Sequence, residues 1–319
     1  MDGVTKVESR TSASVSWWDK LTGTRKALIG WTIASLIGNV LIIVTGAFVR
    51  LTGSGLGCPT WPQCDAGSYV PQQSLGIHGA IEFGNRLLTF VLIALALGVF
   101  ITAVRTRSDR FTRRLALVAG LGIPFQGVIG GITVLTDLNP FVVALHLMLS
   151  LLLVAILTRL LMHITDTRIA VVSPATWWAA RATFVAMFVA CWLGTVVTGS
   201  GPHSGDGGAV RTGFDIDTVA RIHAVSVWAT VALTLVTLVL LQRAGSAASK
   251  WAVLLLVIEL AQGTIGYIQY FTGVPMVPVL FHLLGAGISV AAASALAFAV
   301  RPEGSPERQP NRPVERVAA

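Results

Sequence analysis

Four polar side chains fall on one stripe where an apolar run begins. In "IHGAIEFGNR", His78, Glu82, Asn85 and Arg86 stand at i, i+4, i+7 and i+8, which is one face of a helix. An imidazole, a carboxylate and a guanidinium held together can ligate a metal, move protons and bind an anionic group. Three more histidines, His146, His223 and His282, lie inside stretches that are otherwise apolar. Ionisable residues inside a membrane span are costly and mark functional candidates. One such histidine alone is as readily a hydrogen-bonded strut between helices, so everything turns on whether these are paired.

The elements that position them follow from composition. The 319-residue chain is 54% hydrophobic and 12% charged, with mean hydropathy +0.74. That charged fraction is about half the globular average. Apolar runs near 27–49, 77–103, 115–136, 140–162, 177–199, 218–241, 251–272 and 277–300 are each long enough to cross a bilayer. The expected fold class is therefore all-α integral membrane, with eight transmembrane helices. The first 26 residues are polar and lead straight into a span, so no cleavable signal is expected. Of the 23 Lys and Arg residues, 19 lie on the side of the termini, and only Arg50, Arg86, Arg211 and Arg221 lie opposite. This bias places both termini in the cytoplasm of a multi-pass plasma-membrane protein. The net charge of +8 is then a topology signal that also attracts anionic lipid of the bilayer, and nucleic acid is not an expected partner. The Pro-rich, charged segment 301–319 reads as a disordered tail.

An internal repeat organises the spans. "FQGVIGGITVLTDLNPFVVALHLMLSLLLVA" (125–155) echoes "AQGTIGYIQYFTGVPMVPVLFHLLGAGISVA" (261–291), and Gln-to-His spacing is 20 residues in both. "LIIVTGAFVRLTGSG" (41–55) echoes "LGTVVTGSG" (193–201). The chain thus reads as two tandem, pseudo-symmetric four-helix bundles related by an axis along the membrane normal. The boundaries are a cytoplasmic tail 1–26, an N-terminal half 27–162, a cytoplasmic linker 163–176, a C-terminal half 177–300 and the tail 301–319.

Depth shows which residues face one another. His282 lies 19 residues from Arg301, His223 lies 20 from Arg243, and Asn85 lies 20 from Arg105. His146, 13 residues from Arg159 and 22 from Arg168, is compatible. At about 1.5 Å per residue these four share a height toward the outer leaflet, while His78 sits roughly 10 Å shallower. Two facing imidazoles between bundle helices suit bis-axial ligation of a haem iron. Zinc would want three or four close ligands, and no carboxylate or Cys accompanies His223 and His282. In the first half the corresponding pair is Asn85 and His146, with Glu82 one turn from Asn85. One half carries a complete electron-transfer site; the other is altered and has gained an acid–base residue.

These features resemble the haem A synthase family of cytochrome-oxidase assembly factors. The resemblance rests on "VTGAFVRLTGSGLGCPTWPQC", "EFGNR", both Gln–His pairs and "VTGSGPHSGD", and it extends over all eight spans. It implies oxidation of a methyl group of haem O to the formyl group of haem A by successive hydroxylations, supplying terminal oxidases. It implies a haem b cofactor on His223 and His282, haem O as substrate on His146, Glu82 as the catalytic residue, and an outer-loop cysteine pair at Cys58 and Cys64. Haem O synthase and the oxidase assembly machinery are the partners it points to, along with a homo-oligomer. Where the family pattern is Glu-x-x-His-Arg, this chain has Glu82-Phe-Gly-Asn85-Arg86. Either the substrate iron keeps only His146, or His78 reaches it from above, or His78 relays protons with Glu82.

Several residues keep two readings. Arg50, Arg86 and Arg221 lie where haem propionates would sit, and Arg suits carboxylates bidentately; interfacial anchoring explains each equally well. Glu82 also has a structural alternative, an ion pair with Arg86 or Arg50. Cys58 and Cys64 lie in a loop whose compartment permits a disulfide, structural or redox-active, and Cys191 reads as a buried apolar residue. His203 reads as a loop residue and His163 as an edge residue without function. The rival functions are a b-type membrane cytochrome and a haem carrier, neither catalytic, and behind them a tandem-repeat transporter.

Overall fold

The computed structural model describes residues 16–305. Most of the tail 1–26 and of the tail 301–319 lies outside the described residues. A short helix α1 (Trp17–Thr22) precedes eight long ones: α2 (Arg25–Leu51), α3 (Gly76–Arg105), α4 (Arg110–Leu135), α5 (Pro140–Ile164), α6 (Pro174–Ser200), α7 (Ile216–Arg243), α8 (Ser249–Phe271) and α9 (Met276–Phe298). All eight are long and apolar enough to cross a membrane, as the hydropathy predicts, and their ends fall within about five residues of the expected spans. Capping chemistry sets the starts. Thr24, Asp109, Asn139, Ser173 and Asp215 each accept a backbone N–H with the side chain at the first turn of a helix, satisfying one orphan donor there.

Helices α2 to α5 pack as a closed ring, each against the next and α5 back on α2. Helices α6 to α9 do the same. The rings meet through α9, which packs on α2 and α5, and through α5 against α6. Small residues line α9 there: Gly287, which faces Val40 of α2, and Ser289, Ala292, Ala293, Ser294, Ala295 and Ala297 are all buried. With no hydrophobic driving force between helices in lipid, close backbone approach of this kind supplies the contact energy. Large apolar side chains such as Phe90, Val225, Val257 and Phe281 point outward, toward what would be acyl chains.

The two ends of the bundle differ. At the end holding both described termini, Arg25 pairs with Asp166, Arg105 with Asp19, and His163 Nε2 with Asp109 Oδ2 at 2.7 Å. His163 is therefore a buried strut that holds the α4 cap, where the sequence reading sees only an edge. At this end strand β1 (Ala170–Val172) pairs in parallel with β2 (Val300–Pro302). This corrects the sequence reading on two points: the 163–176 linker contains a strand, and the tail drawn from residue 301 starts as ordered chain. The opposite end carries the long loops after α2 and α6 and holds a disulfide between Cys58 and Cys64.

Candidate functional site

The clearest constellation lies inside the second ring. His223 of α7 and His282 of α9 face one another with ring centroids 6.5 Å apart and planes at 88°. Two metal–nitrogen bonds of about 2 Å, each extended by the roughly 1.1 Å from ring nitrogen to ring centre, would separate two collinear imidazole centres by roughly 6.3 Å. The spacing therefore fits one iron between the rings. Each ring rests on a glycine of the neighbouring helix. A Cβ on Gly194 would lie 3.3 Å from Cε1 of His223, and one on Gly266 would lie 3.8 Å from Cε1 of His282. Nδ1 of both rings is buried without a well-aligned hydrogen-bond partner, although the Ala190 carbonyl lies beside His223. Imidazoles between packed helices with a buried, unpaired nitrogen are unusual in a finished core and fit a metal-ligand role.

His146 in the first ring repeats half of this arrangement. Its Cε1 lies 3.3 Å from where a Cβ on Gly130 would stand, and its Nδ1 is also buried and unpaired. Gly130 and Gly266 each follow the repeated glutamine by four residues, so the glycine floor belongs to the repeat. Gln126 fixes the α4–α5 register: its Nε2 donates to the His146 carbonyl at 3.0 Å and to Ser150 Oγ at 2.8 Å. Opposite His146, Asn85 accepts a hydrogen bond from Thr45 Oγ1 at 2.7 Å.

His78 stands at the exposed start of α3, with Nδ1 2.9 Å from Ser54 Oγ. Its backbone carbonyl is packed against Gly57, where a Cβ would come within 2.2 Å. The contacts of His78 are thus with the loop that follows α2, about two turns above Asn85.

Glu82 and Arg86 form a hub beneath the disulfide loop. Oε1 of Glu82 accepts from Arg86 Nε at 3.0 Å and Nη2 at 2.6 Å, and Oε2 accepts from the Cys58 N–H at 2.7 Å. Arg86 also donates to the carbonyls of Cys58, Thr60 and Gln63. Its five N–H groups are thereby committed within the protein, which makes it a strut for the loop more than a free propionate clamp. The ion pair is the structural alternative of the sequence reading, present in the geometry. Oε2 still has a lone pair to spare, since a carboxylate oxygen accepts two hydrogen bonds.

Of the other candidates, Arg50 donates to the His203 carbonyl, and His203 Nε2 lies 3.0 Å from the carbonyl of Val274. His203 thereby ties the loop after α6 to the turn between α8 and α9. Arg221 is exposed, and Cys191 is a free thiol, half-buried on α6. Sequence reasoning misses Thr45, Ser54 and the three glycine floors, and it passes over Glu259 of α8, which is 4% exposed. A lone acid inside "LLLVIELAQG" is the signal that would have found it.

Fold and site together define a multi-pass helical membrane protein with paired, glycine-cradled histidines inside its bundle. The sequence model of one family matches residues 30–80 and 76–203, more than half of the chain. The chain belongs to that family, cytochrome oxidase assembly protein. Relatives named Heme A synthase agree with the resemblance seen in the sequence. That of Listeria welshimeri is 29% identical over 144 residues, 44% of this chain and 47% of the relative. That of Shewanella oneidensis is 29% identical over 170 residues, 49% and 51% of the two chains. That of Lysinibacillus sphaericus is 35% identical over 126 residues, 38% and 39%. The chain spans about half the length of the curated relatives it matches.

Proposed function

We propose that this protein is a haem A synthase, oxidising a methyl group of haem O to the formyl group of haem A by successive hydroxylations. The observation that carries the reading is the His223–His282 pair, spaced for one iron, beside a first ring that keeps one such histidine and adds a carboxylate. Family membership and the relatives' names support it.

In this reading His223 and His282 hold haem b in the C-terminal half, seated by Gly194 and Gly266. Haem b supplies a one-electron relay for the electrons taken from the substrate. His146 on Gly130 ligates the iron of haem O in the N-terminal half. Asn85, engaged by Thr45, leaves that iron with His146 as its protein ligand, and His78 serves the loop. Glu82 is held by Arg86 and the Cys58 N–H so that the free lone pair of Oε2 can take a proton as the methyl group is oxidised. The disulfide loop closes over this carboxylate and limits water, which strengthens electrostatic interactions beneath it. The Arg–Lys bias puts the terminal end in the cytoplasm and the disulfide end outside the plasma membrane, where oxidising conditions keep Cys58 and Cys64 bonded.

The test is co-expression with a haem O synthase in a host lacking haem A, followed by pigment extraction. Haem A, or its hydroxylated precursor, in cells with this protein and not in cells without it is the expected result. Haem O and haem b alone would overturn catalysis and leave a cytochrome or a haem carrier.

A further inference from the structure

Glu259 is a second intramembrane carboxyl, and nothing in the proposed chemistry uses it. It lies on α8, seven residues before Gly266, so about 10 Å along the axis from the His282 ring toward the terminal end. Its Oε1 is 2.9 Å from Thr234 Oγ1, and its Oε2 is buried with no partner. Among the described residues no cation pairs with it. Thr234 Oγ1 is also 3.0 Å from the Thr230 carbonyl. One hydroxyl has one proton. Thr234 donates to Glu259 Oε1 and shares that proton with the Thr230 carbonyl, so the buried carboxyl has one shared donor and no counter-charge.

Thr234 is one rung of a ladder on α7. Ser226 Oγ donates to the His223 carbonyl at 2.7 Å, Thr230 to the Ser226 carbonyl at 2.8 Å, and Thr234 to Thr230. Thr237, at the same face, meets Thr183 of α6 at 3.1 Å. Thr230, Thr234, Thr237 and Thr183 are all buried, at 2% exposure or less. Back-bonded threonines are common in membrane helices, so the decisive comparison is with the duplicate. The sequence repeat puts Leu92, Ala96, Val99 and Ile123 opposite Thr230, Thr234, Thr237 and Glu259. Leu92, Ala96 and Ile123 pack there as one apolar cluster. The scaffold therefore does not need polar residues at these positions, and only the ring with two histidines has them.

We propose that Glu259, with the α7 hydroxyl ladder, is a proton-storing site that exchanges with the terminal end and takes up a proton when haem b is reduced. The proposal rests on the haem b reading of His223 and His282. In balance, one electron taken from the substrate (supplied by dithionite in the test) converts the ferric iron to ferrous. One proton from water at the terminal end adds to the Glu259 carboxylate, so the buried charge is unchanged. The remaining ionisable groups on the helices packed against it are few: Asp217, Arg221, His223 and Arg243 on α7, His282 on α9, and Lys250, Tyr267 and Tyr270 on α8 itself. On α7 and α8 none lies within two turns of Thr234 or Glu259, and on α6 the cation nearest in sequence to Thr183 is Arg181, toward the terminal end, so among the described residues of α7, α8 and α9 Glu259 is the one carboxyl at this depth.

The test has two arms. In the first, the midpoint potential of haem b is titrated against pH in the purified protein and in Glu259→Gln. Proton uptake on reduction makes the potential fall as pH rises, toward the limit of 59 mV per tenfold change in proton activity. The variant is expected to lose most of that slope; an equal slope would overturn the coupling. In the second arm, infrared spectra of the haem-free protein are compared in H2O and D2O. A carboxylic acid carbonyl band that shifts in D2O, moves in Thr234→Val and vanishes in Glu259→Gln is expected. No such band in the wild-type protein would overturn the storage site. A wild-type protein that binds no haem b defeats the haem b reading instead, and the infrared arm still decides the fate of Glu259.

Discussion

Removing Arg86 tests whether Glu82 and the disulfide loop form one unit. In Arg86→Met the carboxylate keeps a single donor, the Cys58 N–H, and the carbonyls of Cys58, Thr60 and Gln63 lose theirs. Breaking a buried ion pair from one side costs about 3–5 kcal/mol. The Arg86 side chain is 20% exposed and that of Glu82 is 7% exposed, so partial screening favours the low end, about 3 kcal/mol. Glu82→Gln keeps an acceptor for Arg86 but sets an amide against its donors, a loss of about 1–2 kcal/mol. If the sites were independent, the double variant would lose about 4–5 kcal/mol. In the double variant no unpaired carboxylate is left behind, so it is expected to lose about 3 kcal/mol or less, a coupling of about 1.5 kcal/mol. The assay is unfolding in mixed micelles by SDS titration, with protease cleavage within 58–64 as a local readout of the loop. Additive losses, or an Arg86→Met protein with wild-type stability and a protected loop, would refute the reasoning.

Three other outcomes are expected. Glu82→Gln retains bound haem in the purified protein but yields no haem A in the co-expressing host; normal haem A accumulation would remove Glu82 from the chemistry. Gly194→Leu drives a side chain into the His223 ring, which a Cβ at Gly194 already approaches to 3.3 Å. It should abolish haem b in a pyridine haemochrome assay while leaving the helical content intact, and undiminished haem b would show that the cradle is irrelevant. Cys58→Ser keeps the backbone N–H to Glu82, so haem A formation is expected to fall only partly while the loop becomes protease-sensitive. Complete loss of activity with a protected loop would assign the disulfide a redox role.

How much of this was legible in the sequence depends on whether a feature is carried by a pattern or by a partner. The eight spans were legible because each is a long apolar run, and the facing histidines were legible because duplication repeats Gln, His and their spacing. The strand pair Ala170–Val172 with Val300–Pro302 was not, since three residues make no periodicity and the partner lies far along the chain. Nor were the acceptors of Arg86, because loop carbonyls are invisible to residue type. His78 carries a functional-looking side chain, yet Ser54 and Gly57 decide its place. Glu259 was visible as a lone acid, but reading by histidines alone gives it no mate; its meaning comes from Thr234 and from the apolar residues that replace both in the other half.

The two halves give different answers on one scaffold. Where the second ring holds His223, the first has Asn85, whose carboxamide is engaged by Thr45. Where the first ring holds Leu92, Ala96 and Ile123, the second has Thr230, Thr234 and Glu259, so at these positions polarity stands only beneath the complete histidine pair. The acid of the first ring, Glu82, lies at the disulfide end, tied to the loop that Cys58 and Cys64 close. That of the second lies toward the terminal end, tied to a helix that is buried on its polar face.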